Sequence, residues 1–190
     1  MSRFTNPSTF PSFHELPPST TSSSSSSSQE QKWHLLAQIK ENMTITQPTF
    51  IVTDRTGTDF ALLFDNVDDK FNPKGFRKGY TVAVPRARRT DRVEEGKRSV
   101  VRVSAVDGVK VIPGQLDRVL ELGVVLDASS SVDQKEKKCA ACGKMDGKLM
   151  NCTGCDFVAY CGQECQARSW SEMDHKHNCK VLKALQAISV

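Results

Sequence analysis

The residues of this chain best suited to chemistry are its seven cysteines, which all lie between Cys139 and Cys179. Two pairs have the Cys-x2-Cys spacing, with which a tight turn directs two sulfur atoms at one metal ion. With His175 the cysteines make eight ligands, the number that two tetrahedral zinc ions need. The predicted zinc ligands are Cys139, Cys142, Cys152, Cys155, Cys161, Cys165, His175 and Cys179.

The alternative use of these cysteines, a disulfide framework, fits the sequence poorly. An odd number of thiols leaves one without a partner, and residues 1–13 lack the apolar segment of a secretory signal. Clustered cysteines in a reducing compartment usually bind metal. We therefore expect an intracellular protein, nuclear or cytoplasmic, and no membrane-spanning helix, because no apolar run approaches about 18 residues.

Local spacing indicates which elements carry the ligands. Cys161 and Cys165 are four residues apart and so share one face of a helix. His175 and Cys179 have the same spacing on a second helix, whereas His177 lies two residues from Cys179 and would point away. This geometry favours His175 over His177 as the eighth ligand.

The segment 139–179 resembles the MYND-type zinc finger. Besides the ligands, the resemblance rests on Tyr160, Gln166, Trp170 and Lys176. One departure is that four residues separate Trp170 from His175, where the family often has two.

The resemblance implies two zinc sites with interleaved ligands, although spacing alone leaves a sequential grouping open. The implied groups are Cys139, Cys142, Cys161 and Cys165 for the first ion, and Cys152, Cys155, His175 and Cys179 for the second. Four protein ligands leave no open position, so both ions would be structural and not catalytic. We expect a chelator to unfold this finger and to leave the preceding domain intact.

Several members of the MYND family bind proline-rich peptides, and Gln166 and Trp170 match the positions that line their groove. A tryptophan offers a flat apolar face to proline rings, and a glutamine can bind a peptide carbonyl. The opposing interpretation is that Trp170 belongs to the core of the finger, and the sequence leaves this open.

Upstream, the pattern changes to short β-type runs. Strands are predicted at 49–53, 60–64, 80–84, 99–103 and 109–112, and a helix at 115–122. Short strands joined by tight turns such as Asp107-Gly108 predict a small antiparallel β-barrel, loosely OB-like, over residues 29–126. Helical spacing around Trp33 and Leu36 predicts an additional helix at 29–42.

Two segments have compositions that do not predict a core. Residues 1–28 contain eleven serines and two charged residues, and we expect a disordered tail whose apolar residues are scattered or form a docking motif. Those apolar residues are Phe4, Phe10, Phe13 and Leu16. Residues 127–138 read as a linker, and residues 139–190 as the finger with a C-terminal helix at 177–188.

The sequence favours a non-enzymatic adaptor whose finger binds a partner protein, and we find no phosphate-binding loop or nucleophile motif. One alternative is nucleic-acid binding by the barrel, because aromatic residues interleave with a basic stretch. These residues are Phe71, Phe76 and Tyr80, with Lys74, Arg77, Lys78, Arg86, Arg88, Arg89 and Arg92. Residues 29–134 carry 16 basic and 15 acidic residues, which disfavours this alternative. A second, less favoured alternative is a relative of MYND-containing lysine methyltransferases.

Overall fold

The β-type segments of the chain assemble into one seven-stranded sheet with the order β5-β6-β3-β2-β1-β4-β7. The computed structural model describes residues 2–19, 32–65, 67, 71–90, 99–104, 106–130, 137–145 and 148–188. The strands are β1 His34–Asn42, β2 Thr49–Asp54, β3 Asp59–Phe64, β4 Thr81–Pro85, β5 Arg89–Thr90, β6 Val100–Val103 and β7 Lys110–Ile112. Each of the five predicted strands overlaps one of these.

The sheet is not closed into a barrel, so the expected OB-like architecture is not confirmed. Among the described residues, β5 and β7 lie at opposite edges and do not pair. The pairing of β3 with β6 is parallel, whereas the other neighbouring strands are antiparallel. Strand propensity predicts where strands form but not which ones become neighbours, and the crossover from β3 to β6 has no local signal.

The helix predicted at 29–42 is wrong over its described part, because β1 occupies residues 34–42. Leu35 and Ile39 face one apolar cluster, while Leu36 faces another. A central strand that is buried on both faces reads as a continuous apolar run, which periodicity alone does not separate from a helix. Residues 29–31 lie outside the described part.

The described residues also contain three α-helices and a small hairpin. The helices are α1 Leu116–Ser130, α2 Gln163–Glu172 and α3 His175–Gln186, and the hairpin strands are β8 Met150–Asn151 and β9 Ala159–Tyr160. Helix α1 begins where the Gln38 side chain accepts a hydrogen bond from the Leu116 N–H at 2.9 Å. It extends to residue 130, so the first part of the predicted linker is helical; residues 131–136 lie outside the described part. No described helix is both long and apolar enough to span a membrane.

The N-terminal residues correct the expectation of a disordered tail over residues 2–19, which we call the N-terminal strap. Their four large apolar side chains, Phe4, Phe10, Phe13 and Leu16, are each at most 2% exposed. The Phe4 and Phe10 rings stack at 4.6 Å, and Phe13 stacks on Phe60 at 4.7 Å. The serine run at 22–28 makes the average composition of residues 1–28 polar, so composition did not predict that these four side chains are buried. Residues 20–31 lie outside the described part.

Polar contacts at both ends hold the strap to the rest of the chain. The Asp54 carboxylate is 3% exposed and accepts a 2.6 Å hydrogen bond from the Phe13 N–H. At the other end, the Asp127 carboxylate of α1 accepts bonds from the Arg3 backbone and guanidinium at 2.6 and 2.7 Å. The strap is therefore anchored both to the sheet and to α1.

The finger and the sheet share one apolar cluster. Helix α3 contributes Val181, Leu182 and Leu185 to it. The sheet contributes Leu36, Ala83 and Ile112, α1 contributes Leu116, Val119, Leu122 and Leu126, and the strap contributes Phe4 and Phe10. The finger therefore packs on the sheet through α1 and α3. Their shared core contains residues from both sides of the predicted linker.

Candidate metal centre

Two compact groups of ligand atoms lie in the finger. Within each group, all four ligand atoms lie within 4.8 Å of one another. The groups are Cys139, Cys142, Cys161 and Cys165, and Cys152, Cys155, His175 and Cys179. The structure thus shows the interleaved grouping, which spacing alone left open, and all seven cysteines are used.

The first group joins a turn to a helix. Cys139 and Cys142 lie in a knuckle closed by a 2.8 Å bond from the Gly143 N–H to the Cys139 carbonyl. Gly143 has a φ of 74°, a conformation that favours glycine. The prediction that Cys161 and Cys165 share one face of a helix is wrong for Cys161, which follows β9 directly, because α2 begins only at Gln163. Cys165 lies in the first turn of α2, and the two sulfurs are 3.5 Å apart.

The second group joins a knuckle to α3. Cys152 and Cys155 flank a turn in which the Asp156 N–H donates to the Cys152 carbonyl at 2.7 Å. His175 and Cys179 lie four residues apart on α3, as their spacing predicted. The His175 Nε2 atom lies 3.3 Å from the Cys152 sulfur and 3.8 Å from the Cys155 sulfur.

These distances fit tetrahedral zinc. Four ligands placed about 2.3 Å from one ion lie about 3.8 Å apart along the edges of the tetrahedron. The observed separations include 3.6 Å for Cys142 to Cys161 and 3.8 Å for Cys152 to Cys179. A side chain at Gly154 would place its Cβ 2.6 Å from the Cys179 sulfur, so glycine is the residue that leaves room for this ligand.

The surroundings of Cys139 and of His175 favour the forms in which these two side chains bind metal. Burial raises the pKa of the Cys139 thiol, but N–H groups that include those of Cys161 and Cys142 donate to its sulfur, and the resulting pKa is about 6. A low pKa favours the thiolate, which is the form that binds metal. Burial lowers the pKa of His175, which favours the neutral imidazole that zinc requires.

Side chains around the second group fix its histidine. The Tyr160 ring lies edge-on to His175 at 6.0 Å, and its hydroxyl donates to the Ser169 hydroxyl at 3.0 Å inside the finger. His177, the rejected candidate ligand, is instead exposed, and its Nδ1 lies 2.6 Å from the Asp174 carboxylate. The group of ligand atoms therefore contains His175 and not His177.

Both groups contain four protein ligands and leave no position for water or substrate, which is the arrangement of structural zinc. A bound ion supplies a crosslink between distant segments of the chain. The residues that would hold it join each knuckle to a helix, and α3 in turn packs on α1 and the sheet.

Comparison with known proteins agrees with this geometry. A family model for the MYND finger matches residues 139–179. This segment is a MYND finger. SET domain-containing protein 14 of Caenorhabditis elegans is 41% identical over 51 residues, which is 27% of this chain and 11% of that protein. The chain thus covers about a ninth of the length of this relative.

The MYND finger presents a shallow groove that contains both predicted peptide-binding residues. Gln166 and Trp170 line it with Thr153, Gln163 and Ser171. The Trp170 side chain is 42% exposed, while its ring packs edge-on to His175 at 5.9 Å. Trp170 therefore contributes to the finger's packing and also presents a face to the groove.

The four residues between Trp170 and His175 form the end of α2 and the turn into α3. Helix α2 ends at Glu172, α3 begins at His175, and Met173 and Asp174 form the turn between them. Asp174 takes the left-handed conformation, with a φ of 59°, which allows the sharp change of direction.

Sequence reasoning missed the polar contacts that fix the finger against α1. The Arg118 guanidinium donates to the buried Asn178 side chain at 3.0 Å. Neither residue belongs to a motif, and they are 60 positions apart, so the sequence carries no local signal of this contact.

The aromatic residues of the basic stretch considered for nucleic-acid binding pack in or against the core of the sheet. Phe76 is buried and stacks on Phe50 at 4.7 Å, and Phe71 packs against Phe64 at 5.0 Å. Phe76 thus lies in the core of the sheet, and Phe71 and Tyr80 are partly buried against it. Arg92 lies outside the described residues.

Proposed function

We propose that this protein is a non-enzymatic adaptor whose MYND finger binds a proline-rich peptide of a partner protein in the groove lined by Gln166 and Trp170. The observation that supports it most directly is the exposed face of Trp170 beside the half-buried Gln166. Aromatic side chains held rigidly at a groove are typical anchors of binding energy. The second ligand group borders the groove through Cys152 and Cys179, and its His175 packs against the Trp170 ring.

The proposal that the chain is not an enzyme rests on the same chemistry. All seven cysteines belong to four-ligand groups, so no cysteine is left as a free nucleophile. The SET domain in the name of the C. elegans relative is not carried over, because the match covers 11% of that protein. An intracellular location agrees with the need to keep these thiols reduced.

A peptide-binding measurement with matched variants tests the proposal. A fluorescein-labelled proline-rich peptide should bind the full chain, and Trp170→Ala should weaken binding by roughly thirtyfold, the effect of losing about 2 kcal/mol at an aromatic anchor. Met173→Ala is the matched control, because Met173 is 47% exposed on the finger but does not line the groove. Zinc content must stay at two ions in both variants. Equal peptide affinity of Trp170→Ala and the parent chain would show that the peptide does not bind in this groove.

A further inference from the structure

A second groove, which shares no lining residue with the groove at Trp170, lies where α1, the MYND finger and the N-terminal strap meet. We call it the junction groove. It has a volume of about 740 Å³ and is open to solvent. Its lining includes Val125 and Leu126 of α1, Phe157 and Val158 of the finger, and Lys137 and Lys138.

The floor of the junction groove is apolar surface that the fold leaves in contact with water. Val125 is 50% exposed, although Leu122 and Leu126 on the same helix are buried in the core shared with the finger. Phe157 and Val158 are only partly buried. Contiguous exposed apolar surface with a polar rim is typical of a binding site for another protein.

The rim of the groove is basic. Lys137 and Lys138 are both exposed, and neither pairs with a carboxylate among the residues that the structure describes. The third cation, Arg3, is already bound to Asp127 at 2.7 Å. The lining also contains one carboxylate, that of Asp156, which accepts a hydrogen bond from Asn151 at 3.0 Å and forms no ion pair with either lysine among the described residues; the two lysines outnumber it.

We propose that the junction groove binds a short acidic and apolar segment of a partner protein. Leucine or phenylalanine side chains of that segment would cover Val125, Phe157 and Val158, and its carboxylates would pair with Lys137 and Lys138. The complementary charge sets the choice of partner, because a basic or neutral segment would leave the lysines unpaired. This surface differs from the proline-rich peptide groove in position and in chemistry, so either can fail without the other.

Direct binding to the full-length chain tests the proposal. The probe is a fluorescein-labelled peptide library in which leucine or phenylalanine alternates with glutamate and aspartate, compared with the same library carrying lysine in place of the acids. The acidic library should bind with an affinity that falls as salt rises. Amide chemical shifts should move at Val125, Ser129 and Phe157 and not at Trp170.

Variants assign the binding to the junction groove. The double variant Lys137→Glu/Lys138→Glu should weaken binding of the acidic library at least roughly tenfold, since two favourable exposed pairs become repulsive. Val125→Asp should also weaken it, whereas Val124→Asp, a matched control at an exposed α1 position outside the lining, should not. Circular dichroism and zinc content check that each variant is folded, and Trp170→Ala should bind the acidic library as the parent chain does.

Three results would overturn the proposal. The first is equal binding of the acidic and lysine libraries, or equal binding by the parent chain and the double lysine variant. The second is shift changes at these residues when the protein alone is concentrated, which would make the occupant a second copy of the chain. The third is binding of the acidic library without shift changes at Val125, Ser129 and Phe157, which would place the peptide on another surface.

Discussion

Removal of zinc should destabilise the sheet as well as the MYND finger, because the two share a core. Val181, Leu182 and Leu185 of α3 are between 1% and 3% exposed and pack with α1, the strap and the sheet. The ligands His175 and Cys179 hold this helix to its knuckle, and a helix of twelve residues is marginal by itself. Without the ion we expect α3 to leave the shared core.

The size of the effect follows from the surface that becomes exposed. Each of the three side chains contributes about 2 kcal/mol when fully buried, which gives about 6 kcal/mol for the set. With a urea dependence of about 2 kcal/mol per molar, the unfolding midpoint of the sheet should fall by about 3 M. A loss of this size is comparable to the whole stability of many small domains.

The two tryptophans make the assay specific, because Trp33 lies beside the sheet and Trp170 lies in the finger. The Trp33 indole N–H donates to the Ala87 carbonyl at 3.1 Å, so its fluorescence reports the sheet. In Trp170→Phe, Trp33 is the single tryptophan, and its urea transition is measured before and after chelation, with release of two zinc ions verified. Zinc-loaded Leu185→Ala should lower the same midpoint, since it costs about 2–5 kcal/mol in the same core. If the urea midpoint reported by Trp33 is unchanged after full zinc release, the reasoning is refuted. The sheet and the finger would then be independent domains, as the sequence predicted.

Two further predictions concern the N-terminal strap. Gly123→Ala places a Cβ 2.5–2.7 Å from atoms of the Phe4 ring and should lower the stability measured by thermal unfolding by about 1–3 kcal/mol. The control Gly75→Ala, whose Cβ has nothing within 4 Å, should not lower it. Equal melting temperatures of the two variants would show that the strap does not pack on α1. Burial raises the pKa of Asp127, but hydrogen bonds from Ser2 and Arg3 outweigh it and hold the pKa below its ordinary value of 3.8. A lowered pKa means that this carboxylate stabilises the fold fully above about pH 4 and loses that effect as the pH falls through the folded-state pKa. The stability difference between the parent chain and Asp127→Asn should therefore shrink in acid, and a difference that is constant with pH would contradict this.

The metal centre could be predicted from the sequence because its determinants are local. A Cys-x2-Cys turn and an i, i+4 pair on a helix are fixed by backbone geometry over a few residues, whatever the rest of the chain does. The same holds for β2 and β3, whose alternating buried residues match the pattern of the sequence. The resemblance alone implied which ligand pairs share one zinc ion. The structure decides this, because it places Cys161 beside Cys142.

The tertiary structure alone decided how the segments are arranged. Composition averaged over residues 1–28 predicted disorder, yet Phe4 and Phe13 are buried against partners far along the chain, which no local pattern encodes. The parallel pairing of β3 with β6 and the packing of α3 on α1 likewise depend on contacts between distant residues. The sequence determined the chemistry of the finger, because ligand spacing is a local property; the fold determined that the finger, the strap and the sheet share a core, because burial is settled only when distant apolar surfaces meet.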